Sequence, residues 1–161
     1  MQLSIYDVLE EKKPGILKRW RQAIAGRGET EPFAGAPGGS RFTNPARHTV
    51  EQAAADIFAW LTERESPAEL KPVLRDICQL KAVQDAAPGQ ALAFIFELKD
   101  ILDAELTNSD GSMTWSAEVR KIERRIDEIM LTAFDLYAEQ QRRISDIRLA
   151  EMKRARGREA V

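Results

Sequence analysis

The chain has 161 residues, 43% hydrophobic and 31% charged, enough for one domain with a proper core and too few for two comfortable ones. Twenty-four basic against 26 acidic residues leave a net charge of −2, which offers no cationic field for nucleic-acid phosphates. A single cysteine excludes an internal disulfide, and no apolar run reaches the roughly 18 residues of a membrane span. The start, "MQLSIYDVLEEKK", turns acidic too soon for a signal peptide, so a cytoplasmic protein without membrane insertion is expected.

Helices follow from their caps. Ser4 precedes a short one through Glu11, and Pro14 takes the first turn of a second, through Ala25. Its apolar face is Ile16, Leu17, Trp20, Ala23 and Ile24. "GRGETEPFAGAPGGS", residues 26–40, reads as the one long loop. Asn44 then serves as N-cap with Pro45 at the first helical position, and Val50, Ala53, Ala54, Ile57, Phe58 and Leu61 form the buried stripe. Ser66-Pro67 repeats the device, and Pro72 breaks or restarts a helix carrying Val73, Leu74, Ile77, Leu80 and Val83.

A helix opened by Pro88 has Leu92, Phe94, Ile95, Phe96, Leu98, Ile101 and Leu102 around most of its circumference, which predicts a central, buried element. The last helix begins near Thr114 and runs past Met152. Its stripe is wide from Ile122 to Tyr137, and beyond Glu139 only Ile144, Ile147, Leu149 and Met152 stand among many charges. Its first half is expected to pack on the domain. Its second half is expected to project, or to pair with another copy in the manner of a coiled coil. No run alternates like a half-buried strand, so the fold class is all-α, with a body over 1–139 and a projecting helix end and basic tail over 140–161.

The corner "QDAAPGQ" separates two helices. Ala87 stands as N-cap and Gln90 as the returning half of a capping box that lacks its hydroxyl half. A helix–helix corner is the plainer reading, ahead of a ligand site. The stretch "KAVQDAAPGQALAFIFELK" nevertheless resembles the signature of the N-terminal domains of RsbR-type stressosome proteins, the RsbT co-antagonists. The residues that match are Ala82, Val83, Gln84, Asp85, Pro88, Gln90, Ala91, Phe94 and Lys99. Phe42, Asn44, Pro45 and Thr49 match a second block, and Ala133, Phe134, Asp135, Tyr137, Arg148 and Glu151 a third. Order and spacing agree over nearly the whole chain. Lys81 stands in place of the usual arginine, Ala86 of an aromatic, and Ala87 and Gly89 of two serines.

The resemblance implies a globin-like helical fold without haem, usually dimeric, acting as a sensory or interaction module in bacterial stress signalling. In full-length relatives a STAS domain follows, which builds the stressosome and binds a switch kinase. None follows Val161 here, so a freestanding module is expected, with a STAS-domain or switch-kinase protein as partner.

Direct chemistry finds little support. The sole histidine, His48, falls in a first turn beside Arg47 and Thr49, where an exposed side chain is expected rather than a haem ligand. One histidine and one cysteine cannot build an N/S zinc site. Cys78, between Ile77 and Leu80, reads as a small buried hydrophobe. Asp135 belongs either to a solvated face or to a bond with another helix or protomer. "KRARGR" suits a helix C-terminus. With no cofactor and no catalytic constellation, two functions stay open. One is a non-enzymatic regulatory module that dimerises through its last helix, with Ile144, Ile147, Arg148 and Glu151 as candidate interface. The other is a small-molecule sensor with an apolar cavity lined by Trp60, Phe94, Ile95, Phe96 and Phe134.

Overall fold

The computed structural model describes residues 4–25, 45–63, 70–84, 86–107 and 115–160. Asn44, Asp85, the 26–40 loop and Ser66-Pro67 lie outside them. Five helices make up the described chain: α1 (Ile5–Ala25), α2 (Pro45–Glu63), α3 (Lys71–Val83), α4 (Pro88–Thr107) and α5 (Ser116–Glu159). The protein is all-α with a long C-terminal helix.

Ser4 caps α1 as expected. Its Oγ accepts from the Tyr6 amide, while Asp7 Oδ2 accepts from the Ser4 amide, a reciprocal box at the first turn. The expected break before Pro14 does not occur, and α1 is one helix with Pro14 inside it. The reason is phase. Ile5, Val8 and Leu9 stay in register with Ile16, Leu17, Trp20 and Ile24, so one unbroken buried stripe passes Pro14, which is exposed. A proline inside a helix costs about 3 kcal/mol; burying these seven side chains at roughly 1.5–3 kcal/mol each exceeds that several-fold. On either side of the proline α1 is also fastened to α4, through Lys12 Nζ donating to the Glu105 carbonyl at 2.6 Å and Arg19 pairing with its carboxylate at 3.0 Å.

The predicted stripe of α2 is buried, with Trp60 added to it. Pro72 sits in the first turn of α3 and restarts the chain as a helix there. Leu74, Ile77, Cys78, Lys81 and Ala82 face inward; Val83, expected in the stripe, is 73% exposed. It lies nine residues after Leu74, about two and a half turns on, and so points the opposite way.

The helices close a ring in the spatial order α1–α2–α3–α5–α4, each packed chiefly on its two neighbours. α4 and α5 run antiparallel, since Lys99 meets Asp127 while Ala86 meets Tyr137. α4 is covered by α1 and α5 rather than on all sides, which leaves Phe96 half-exposed, against the expectation of a fully buried helix. In α5, Ile122, Ile126, Ile129, Ala133, Leu136, Tyr137 and Gln140 are buried, and Ile144 still touches the core. Phe134, one position round from Ala133, is half-exposed, contrary to the wide stripe expected. From Ser145 to Ala160 every residue is exposed. At 1.5 Å per residue the helix projects roughly 25 Å beyond the body.

Candidate functional site

The corner between α3 and α4 is built from its ends. The Gln84 amide closes α3 by donating to the Lys81 carbonyl at 3.1 Å, and the Ala87 carbonyl accepts the first bond of α4, from Ala91 at 2.9 Å. The Ala86 carbonyl, stranded between these two ladders, accepts from the Tyr137 hydroxyl at 2.5 Å. That hydroxyl in turn accepts from Gln141 Nε2 at 2.9 Å. Tyr137 is fully buried, so α5 pins the corner from inside the body.

Lys81 braces the same end of the bundle. It is buried, its Nζ donates to the Ile24 carbonyl in the last turn of α1, and it stands 5.8 Å from the Phe94 ring centre. Phe94 also packs against Trp20, whose Nε1 donates to the Phe94 carbonyl at 2.8 Å. Lys99 ties α4 to α5 through Asp127 at 2.5 Å and lies over Phe96 at 5.9 Å. At the far end Arg125 donates to the Trp60 and Leu61 carbonyls, both at 3.1 Å, and stacks on the Trp60 ring at 4.7 Å. Those carbonyls belong to the last described turn of α2, so Arg125 fastens the end of that helix to α5.

The motif residues thus divide by role. Ala82, Phe94, Lys99 and Tyr137 hold helices together, and Gln84 ends one. Pro88 and Gln90 are exposed on the first turn of α4, Val83 points outward, and Asp135 is exposed on α5. Pro45 starts α2 and is also exposed. Asn44 and Asp85 carry no description. Lys81 and Arg125 were not singled out by sequence reasoning as structural residues. A signal existed for Lys81, which falls on the Leu74–Ile77–Cys78 face of α3.

Of the five residues expected to line an apolar cavity, Trp60, Phe94 and Ile95 are buried, whereas Phe96 is 49% and Phe134 52% exposed. The five therefore do not enclose one pocket. Phe94 instead contributes to an open groove of about 760 Å3 between α1 and α4, lined also by Arg19, Lys81, Gln90, Glu97 and Asp100. Ala23, Ala91, Ala93 and Ile101 line it too, and a groove this open, with charged and apolar walls mixed, does not enclose an apolar ligand. Trp60 is packed into the core with its Nε1 unbonded. Cys78 is fully buried, its Sγ 3.4 Å from the Ala133 carbonyl, and burial pushes the thiol up to about 12. A thiol so placed is no nucleophile at neutral pH. His48 is exposed in the first turn of α2, as its position predicts. Among the described residues no cluster of three metal-ligating side chains occurs, and no helix is long and apolar enough to cross a membrane.

The candidate interface residues lie where α5 leaves the body, Ile144 still against the core and Ile147, Arg148 and Glu151 on the projecting part. Ile144 and Ile147 prolong the phase of Ala133, Tyr137 and Gln140, so the core face simply continues past the body. Ile147 is 58% exposed there, with Arg148 and Glu151 one turn further on.

A family model, described as the RsbT co-antagonist protein RsbRD N-terminal domain, matches residues 14–152. No curated protein and no solved structure matches the chain. The matched span reaches from Pro14 in α1 to Met152, well out on the projecting helix.

Proposed function

The chain belongs to the family of RsbT co-antagonist RsbRD N-terminal domains, and from that premise we propose that it is a non-enzymatic regulatory module of stress or environmental signalling. It acts as a homodimer held through α5, and it passes its signal to a STAS-domain or switch-kinase protein of the cytoplasm. One observation carries this reading: the buried stripe of α5 runs through Ile144, at the edge of the body, to Ile147 beyond it, which is 58% exposed. An apolar face in line with a core, flanked by Arg148 and Glu151, is suited to receive a partner helix, with the charges fixing its register.

The rigid parts fit such a role. Tyr137, Lys99 and Arg125 bind α5 to α2, α4 and the corner, so a shift of the body moves the projecting end as one piece. A signal would then be any event that binds one orientation of α5 better than another.

The test uses the purified STAS-domain protein and the purified switch kinase of the same organism, each titrated calorimetrically with the full chain. Binding to one of them is expected, weakened at least tenfold by Ile147→Asp, a surface change that leaves folding intact. If neither protein binds, or if the variant binds as well as the parent, the reading fails.

A further inference from the structure

The groove between α1 and α4 has dimensions that select an occupant. Its α4 wall runs from Gln90 to Ile101, which at 1.5 Å per residue is about 16 Å. A volume of about 760 Å3 spread over that length leaves a cross-section of roughly 45 Å2, about half of what a helix with its side chains takes up. An extended chain is slimmer, and about five of its residues span the same length. Ala23 and Ala93, on opposite walls, carry nothing beyond a β-carbon, so a main chain can come close to both helices.

The walls also carry groups that suit a main chain. Gln22 on α1 and Gln90 on α4 line the groove and are exposed, and neither side chain makes a hydrogen bond among the described residues. Gln90 does not turn back to the Ala87 amide, as a capping box would have it. Each primary amide can both donate and accept, which is the pairing a peptide group requires.

The charges along the groove do not balance. Arg19 is engaged by the Glu105 carboxylate at 3.0 Å, and Lys81 by the Ile24 carbonyl. Glu97 and Asp100, one turn apart on the α4 wall, have no ion pair among the described residues. Two like carboxylates so placed favour a cation beside them and repel an anionic occupant.

We propose that this groove binds a short extended segment of a partner protein, about five residues long, with a lysine or arginine at the end beside Glu97 and Asp100. Gln22 and Gln90 hold its peptide groups from either side, and the basic side chain lies against the two carboxylates. Open mixed walls, which do not enclose a small apolar molecule, accept a chain that enters at one end and leaves at the other. The groove is made by α1 and α4 and owes nothing to Ile147, so its test is separate from that of the α5 contact.

The test is selection of a phage-displayed random heptapeptide library against the full chain. The most enriched peptide is then synthesised, titrated into isotope-labelled protein and followed by amide chemical shifts. Enriched sequences are expected to share a lysine or arginine towards one end, and the shifts to centre on Gln22, Gln90, Ala93 and Glu97. Glu97→Gln combined with Asp100→Asn should weaken the peptide at least fivefold. Ala93→Trp, which fills the groove from an accessible wall position, should abolish binding with helix content unchanged. Ile147→Asp should bind the peptide as well as the parent does. The proposal is overturned if no sequence is enriched, if the enriched peptides lack a basic residue, if the shifts fall on other helices, or if either groove variant binds as the parent does.

Discussion

The corner between α3 and α4 depends on one hydroxyl. Tyr137→Phe keeps the buried ring and removes only the oxygen, so no cavity opens. What is lost is the donor to the Ala86 carbonyl at 2.5 Å, together with the acceptor for Gln141. Gln141 is only partly buried and finds water. The Ala86 carbonyl belongs to neither helical ladder and has no second intrahelical donor to turn to. Leaving such a group without its bond costs about 1–3 kcal/mol, which in a chain of this length lowers Tm by several degrees at roughly 2–4 °C per kcal/mol. Urea unfolding followed by tryptophan fluorescence reads the change. The midpoint should fall while the slope stays constant, since the surface exposed on unfolding is the same. Hydrogen exchange should rise first at the amides of Ala86 to Ala91. A loss below about 0.3 kcal/mol would refute the view that this bond fixes the corner, because it would lie beneath the smallest net value of an ordinary hydrogen bond.

Lys81→Met should cost about 1–3 kcal/mol through the bereft Ile24 carbonyl, and Lys81→Arg should recover at least half of that, since a guanidinium can donate to the same oxygen; equal losses in the two would refute the assignment. Cys78 gives a pH signature. Its folded thiol titrates near 12 instead of its ordinary 9.0, so above pH 9 only the unfolded chain releases the proton. Its contribution is complete below pH 9 and is lost as pH rises towards 12, at up to about 1.4 kcal/mol per unit. The difference in stability between the parent and Cys78→Ala should therefore shrink across that window, and a pH-independent difference would contradict it.

Much of the fold was legible because the apolar period is strong. The stripe of α2, the restart at Pro72, the start of α4 at Pro88 and the length of α5 all follow from spacing and caps. The break expected at Pro14 does not occur because the apolar phase linking Leu9 to Ile16 outweighs the local propensity of proline. The misplacement of Phe96, Phe134 and Val83 has a different cause. Hydrophobicity shows that a side chain favours burial, but which sector of a helix finds a neighbour depends on the order of helices in the ring. That order is set by long-range pairs such as Lys99 with Asp127 and Tyr137 with Ala86, which no local pattern contains.

The proposed function has this chain work through protein contacts made by α5 rather than by holding a small molecule. A native mass spectrum of the protein purified from its own host, recorded beside a denatured one, tests it most directly. A dimer at twice the chain mass with nothing added is expected. A monomer at all concentrations, or an extra small mass that disappears on denaturation, would contradict it.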